Sequence, residues 1–162
     1  MTRELTAFEV LEIAEKMERE AARFYRKAAG LYRDPSLTKL FSELAQWEKR
    51  HMQVFAQMKE RSSEQAWEGG RLNMDRADVA QLDAPSAVFS EFSEPAHELT
   101  GAEIRTDVIR LALKKEQYTI SYYVSLTEFA LGQDNLRAIK AILEEERRHM
   151  RILTQSLQQA GG

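Results

Sequence analysis

Between Leu37 and Met58 the chain carries an apolar rhythm with spacings of three and four residues: Leu37, Phe41, Leu44, then Phe55 and Met58. That rhythm marks the buried seam of a helix. The two seam positions between Leu44 and Phe55 are filled by Glu48 and His51, which leave the helix on the same face. A carboxylate in such a place costs roughly several kcal/mol unless it is paired or binds a metal. The same interruption returns 98 residues later, where Ile139, Ile142 and Leu153 frame Glu146 and His149. Of the three histidines in the chain, two therefore stand three residues after a seam glutamate. Any fold for this sequence must accommodate two charged interruptions of two apolar seams.

The interruptions belong to an internal repeat with one constant offset of 98 and no gap. Val10 pairs with Val108, Ala14 with Ala112, Glu18 with Glu116, Tyr25 with Tyr123, Glu48 with Glu146, and His51 with His149. Thr6 and Glu9 read as a capping box that opens a first helix, with an apolar stripe Val10, Ala14, Met17, Ala21, Phe24, Ala28 and Leu31. Leu11, Glu18 and Tyr25 lie on the flank of that stripe. Asp34 as N-cap and Pro35 at the first helical position predict a second helix from about Ser36 to Arg61. Thr100 with Glu103, or else Thr106, caps a third helix with Val108, Ala112, Thr119, Tyr122, Leu126 and Phe129 on its stripe, and Glu116 and Tyr123 on its flank. After a turn at Gly132 and Asp134, a fourth helix runs from about Asn135 to Gln158. The expected fold is all-α: a four-helix bundle of two helical hairpins joined by a long crossover at about residues 62–99, with residues 1–162 forming one domain.

In an antiparallel hairpin, residues equidistant from the turn lie at one level. The midpoint of Glu18 and Glu48 is residue 33, and that of Glu116 and Glu146 is residue 131; both fall in turns. Each hairpin thus brings its two glutamates level, beside a histidine. A repeated hairpin has no packing reason to keep Glu, Glu and His at its deepest level, and a metal-free bundle with a satisfied polar layer is the alternative. Four carboxylates match the charge of two divalent cations, and a mixed carboxylate and imidazole set suits iron or manganese. Without metal the glutamates repel one another, and each is expected to hold its proton more tightly than usual.

Composition narrows the rest. Hydrophobic residues are 43% and charged ones 30%, which suits a helix-rich globular domain. A net charge of -3 with no basic cluster gives no nucleic-acid surface and no steering to acidic lipid. No apolar run spans a bilayer, and Arg3, Glu4, Glu9 and Glu12 break up the amino terminus, so no signal peptide and a cytoplasmic location are expected. With no cysteine there is no thiolate zinc site and no iron-sulfur cluster. The stretch 62–99 carries eight acidic and two basic residues, with Pro85, Pro95, Gly69 and Gly70 punctuating it. A short helix around Asp75 to Leu82 is expected within it, and His97 is read as a surface residue.

At the paired motifs EREAARFY with EKRH, and EQYTISYY with ERRH, the sequence resembles the ferritin-like superfamily and, within it, the erythrin domain of rubrerythrins. The likeness covers both hairpins, about 110 residues. It implies a centre of two iron ions, with manganese or zinc as substitutes. Glu48 and Glu146 would bridge the metals, Glu18 and His51 complete one, and Glu116 and His149 complete the other. Tyr25 and Tyr123 match aromatic positions beside the ligands in such proteins, although core-filling tyrosines would look the same. The implied activity is that of a di-iron peroxidase or ferroxidase, an oxidoreductase oxidising Fe(II) with peroxide or oxygen in oxidative-stress defence or iron handling. Iron buffering, storage or delivery is the alternative. Full rubrerythrins also carry a cysteine-ligated rubredoxin domain, which this chain lacks, so catalysis requires an external electron donor. Leu113 and Thr119 stand where many rubrerythrins place an additional glutamate, and the likeness does not extend to ligand switching there. A homo-oligomer, taken as a dimer, is expected, with the two hairpin turns at opposite ends of the bundle.

Overall fold

The computed structural model describes residues 6–65, 99–129 and 131–160. They form four helices: α1, Ala7–Leu31; α2, Pro35–Gln65; α3, Arg105–Leu126; and α4, Gln133–Ala160. No strand occurs among the described residues, and the fold is the expected all-α bundle. None of these helices is long and apolar enough to cross a membrane. The acidic crossover, the short helix expected around Asp75 to Leu82, and His97 lie outside the described residues, apart from the crossover's ends.

Local chemistry sets the helix starts. Thr6 Oγ1 accepts the Glu9 amide at 3.2 Å while the Glu9 carboxylate accepts the Thr6 amide at 2.9 Å, a reciprocal capping box. Asp34 Oδ1 accepts the amides of Ser36 at 2.8 Å and Leu37 at 3.2 Å, with Pro35 opening α2 as its sequence position predicts. The expected cap of the third helix is not formed: α3 begins at Arg105 behind Ile104, whose side chain cannot cap. Glu103 instead accepts the amides of Thr100 and Gly101, each at 2.9 Å, and the Tyr32 hydroxyl at 2.8 Å. The Thr-x-x-Glu pattern here closes a turn, in which Gly101 takes a φ of 87° that a side chain would resist. α2 and α4 run a few residues beyond their expected ends, because their last turns are polar and carry no seam to read.

The stripe of the first helix is centred differently from its reading in sequence. Val10, Ala14, Met17, Ala21 and Ala28 are buried as expected, but Leu31 is 37% exposed, and the supposed flank of Leu11, Glu18 and Tyr25 is no more than 1% exposed. Helix α1 therefore turns both lines of residues inward, one toward its hairpin partner and one toward the other half. Two apolar clusters result. One is built around Leu11, Met17, Phe55, Tyr122 and Ile142, and the other around Tyr25, Phe41, Leu44, Val108 and Leu153. The charged layer lies between them.

Cross-links between the halves fix the topology. Tyr25 bonds Glu116, and Glu18 bonds Tyr123, so α1 and α3 run antiparallel. Asp34, in the first hairpin turn, pairs with Arg105 at the start of α3, while Tyr122 near the end of α3 donates to the Val10 carbonyl at 2.8 Å. The first turn therefore lies beside the start of α3 and the second turn beside the start of α1, at opposite ends. Gln65 and Leu99, which flank the crossover, accordingly lie toward opposite ends.

Candidate metal centre

Each helix delivers one glutamate to the layer between the two clusters, and α2 and α4 each add a histidine one turn later. Glu18, Glu48, His51, Glu116, Glu146 and His149 are all buried, at 3% exposure or less. Among the described residues they make two groups whose ligand-type atoms converge within 4.8 Å: Glu18, Glu48, His51 and Glu146, and Glu48, Glu116, Glu146 and His149. Glu48 and Glu146 belong to both.

The imidazole Nδ1 atoms mark the two centres. His51 Nδ1 faces Glu146 Oε1 at 2.8 Å, Glu48 Oε2 at 3.3 Å and Glu18 Oε2 at 3.8 Å. His149 Nδ1 faces Glu146 Oε2 at 3.0 Å, Glu48 Oε1 at 3.1 Å and Glu116 Oε2 at 3.8 Å. The central pair thus divides its oxygens, one to each imidazole. One ring nitrogen carries one proton and cannot satisfy three carboxylates. The two Nδ1 hydrogens accordingly cannot serve Glu18 Oε2, Glu48 Oε1 and Glu146 Oε1 together with their neighbours, and these fully buried oxygens are left short of donors. Orphaned carboxylate oxygens aimed at a common point beside an imidazole nitrogen are a donor set that fits a divalent transition metal at each position.

Electrostatics divide the glutamates in a way the sequence did not foretell. Burial, then the neighbouring carboxylates, push Glu18 and Glu116 well above the usual carboxylate range. Glu146 does not follow the expectation that all would rise: burial pushes it up, but hydrogen bonds from His149 and His51 outweigh this and hold it below the usual range. The imidazoles respond in kind. Burial alone would lower them, yet their carboxylate partners raise His51 and bring His149 to about 12. In the metal-free protein two imidazolium ions supply the positive charge that the carboxylates require.

Tyr25 and Tyr123, fully buried, reach across the repeat. The Tyr25 hydroxyl donates to Glu116 Oε1 and the Tyr123 hydroxyl to Glu18 Oε1. Each outer glutamate is thereby oriented by the tyrosine of the opposite half. Two neighbours were missed in the sequence. Glu145 Oε2 lies 3.0 Å from His51 Nε2, and the Trp47 ring stacks on His149 at 4.9 Å with an interplanar angle of 12°. Repeat symmetry could have drawn attention to both, since Trp47 and Glu145 occupy equivalent positions with unlike residues.

Residues 1–59 match the family model for rubrerythrin. A solved structure from Thermotoga maritima, described as a ferritin-like diiron-carboxylate protein, aligns over 99% of this chain and 99% of that one, with a TM-score of 0.70 at 20% identity. No curated protein matches. The family match falls on α1 and most of α2, and the fold match extends over both hairpins: the chain has a ferritin-like four-helix-bundle fold, and its first 59 residues resemble the rubrerythrin family.

Proposed function

We propose that the chain is a di-iron carboxylate protein that oxidises Fe(II) with peroxide or oxygen and is re-reduced by a separate electron donor. The observation that carries this reading is the division of the Glu48 and Glu146 oxygens between the two imidazoles, at 2.8 to 3.3 Å. On this reading Glu48 and Glu146 would be shared between the two ions, Glu18 and His51 would complete one position, and Glu116 and His149 would complete the other. The same ligand pattern belongs to the ferritin-like di-metal proteins in general, and the Thermotoga structure is described as a diiron-carboxylate protein. Two irons held together supply the two electrons that a peroxide needs. The chain's own residues keep the ions close, exclude water with apolar clusters above and below, and fix the outer carboxylates through Tyr25 and Tyr123.

Iron analysis tests the first part: about two ions per chain are expected, with Glu48→Ala and Glu146→Ala each lowering occupancy at both positions. One ion per chain, or full occupancy in both variants, would sink the bridging roles. Turnover tests the second part. With no cysteine in the sequence there is no thiolate-held iron to return electrons. The iron-loaded, reduced protein should therefore consume about one equivalent of peroxide per site in a burst and then stop, and a rubredoxin-like donor or a small reductant should restart it. If added Fe(II) is instead oxidised continuously and remains soluble in large excess over sites, the chain stores iron and the oxidoreductase reading fails.

A further inference from the structure

The repeat that places the ligands breaks immediately beside them. By the constant offset of 98, Trp47 of the first half answers to Glu145 of the second. Glu145 Oε2 stands 3.0 Å from His51 Nε2, on the opposite edge of the ring from the Nδ1 atom that faces Glu18, Glu48 and Glu146. Trp47 lies flat against His149, 4.9 Å between ring centroids, and the Arg148 guanidinium sits 5.5 Å from the centroid of the Trp47 ring. One imidazole is backed by a carboxylate, the other by an indole with a guanidinium beyond it.

We propose that this break makes the two metal positions unequal: the position completed by His51 takes its ion first and more tightly, and Glu145 is the positioning residue responsible. The inference rests on the reading of the six buried side chains as ligands of two ions. By accepting the Nε2 hydrogen, Glu145 fixes the tautomer that leaves the Nδ1 lone pair facing the carboxylates, and it raises the basicity of that nitrogen. It also adds a negative charge on the His51 side. Trp47 can do neither, because an indole offers a hydrogen-bond donor and no acceptor. A carboxylate behind a metal-bound histidine is typically worth about 10- to 100-fold in metal affinity.

The sequence supplies its own reporter, since Trp47 and Trp67 are the two tryptophans of the chain and Trp67→Phe leaves Trp47 alone. Metal-free Trp67→Phe protein is titrated with Co(II), an ion that quenches indole emission at short range, with calorimetry in parallel. Two steps separated by about 10- to 100-fold in affinity are expected, with most of the Trp47 quenching in the second. Glu145→Ala in the same background should weaken the tighter step by about that factor and move quenching into the first equivalent. Glu145→Gln, whose amide oxygen still accepts the Nε2 hydrogen, should retain more of the difference than alanine does. Quenching complete at the first equivalent in the Trp67→Phe parent, or a Glu145→Ala titration superimposable on that parent's, overturns the proposal. Two ions bound with equal affinity sink the ordering but leave the ligand set standing; no Co(II) bound at all sinks both.

Discussion

Tyr123 gives its hydroxyl hydrogen to Glu18 and Tyr25 gives its own to Glu116, so each half of the repeat restrains a ligand of the other. Removing either hydroxyl leaves a buried carboxylate oxygen without its donor while the ring stays in place, Tyr25 stacked on Phe41 at 5.9 Å and Tyr123 against Phe55 at 5.0 Å. Tyr25→Phe and Tyr123→Phe should each destabilise the metal-free protein by about 1–3 kcal/mol in urea denaturation. Tyr122→Phe loses a bond to a backbone carbonyl and should cost about 1 kcal/mol. Unchanged midpoints in both ligand-side variants would reduce these tyrosines to core filling. Glu48, His51, Glu146 and His149 stood out in the sequence because charge interrupts an apolar seam, and Glu18 and Glu116 because the repeat and the hairpin midpoints set them level with those residues. The tyrosines did not, since an aromatic ring on a stripe looks the same whether its hydroxyl works or not. Glu145 was less visible still, being a half-exposed glutamate among many.

At the scale of the helix, the capping residues and seams of α1 and α2 were readable, because a cap is a local contact between residues close in sequence. The start of α3 was not. Thr100 and Glu103 form the contact their spacing invites, but Tyr32 from the first hairpin turn also binds Glu103, and the helix waits until Arg105. Arg105 in turn bonds Asp34, which caps α2, so one aspartate serves a helix start and a link between the halves. The short bonds from Ser36 and Leu37, with the nearby Arg105, hold the Asp34 carboxylate below its usual range. Asp34→Ala removes the cap and the ion pair together, whereas Arg105→Ala removes a partly exposed pair and two longer bonds to the Ser36 and Ser156 hydroxyls, a smaller loss. Thermal melts should therefore place Asp34→Ala clearly below Arg105→Ala, and Arg105→Ala close to the parent. The reverse order would mean that the link between the halves outweighs the cap.

Over the whole molecule, proton binding and metal binding compete for one set of side chains. In the metal-free protein Glu18 and Glu116 hold protons more tightly than the unfolded chain does, so their contribution is complete below about pH 4.5 and shrinks as pH rises. The raised imidazoles act in the same sense, contributing fully below about pH 6.5 and losing that contribution as pH climbs, toward about 12 for His149. Glu146 is held low and acts oppositely, its contribution present above about pH 4.5 and lost in stronger acid. Together these groups place the stability maximum of the metal-free protein in mild acid, about pH 5, with a decline through neutrality. Divalent ions require the deprotonated ligands, so each ion entering at neutral pH must expel the proton of its imidazole. Loading the metal-free protein at pH 7 should release at least about two protons per chain, seen as acidification of a weakly buffered solution or as a buffer-dependent calorimetric heat. Metal-loaded protein should then gain stability with rising pH over the range where the metal-free form loses it. Loading without proton release, or metal-free stability that climbs from pH 5 to 8, would show that the imidazolium ions do not balance the carboxylates as the geometry requires.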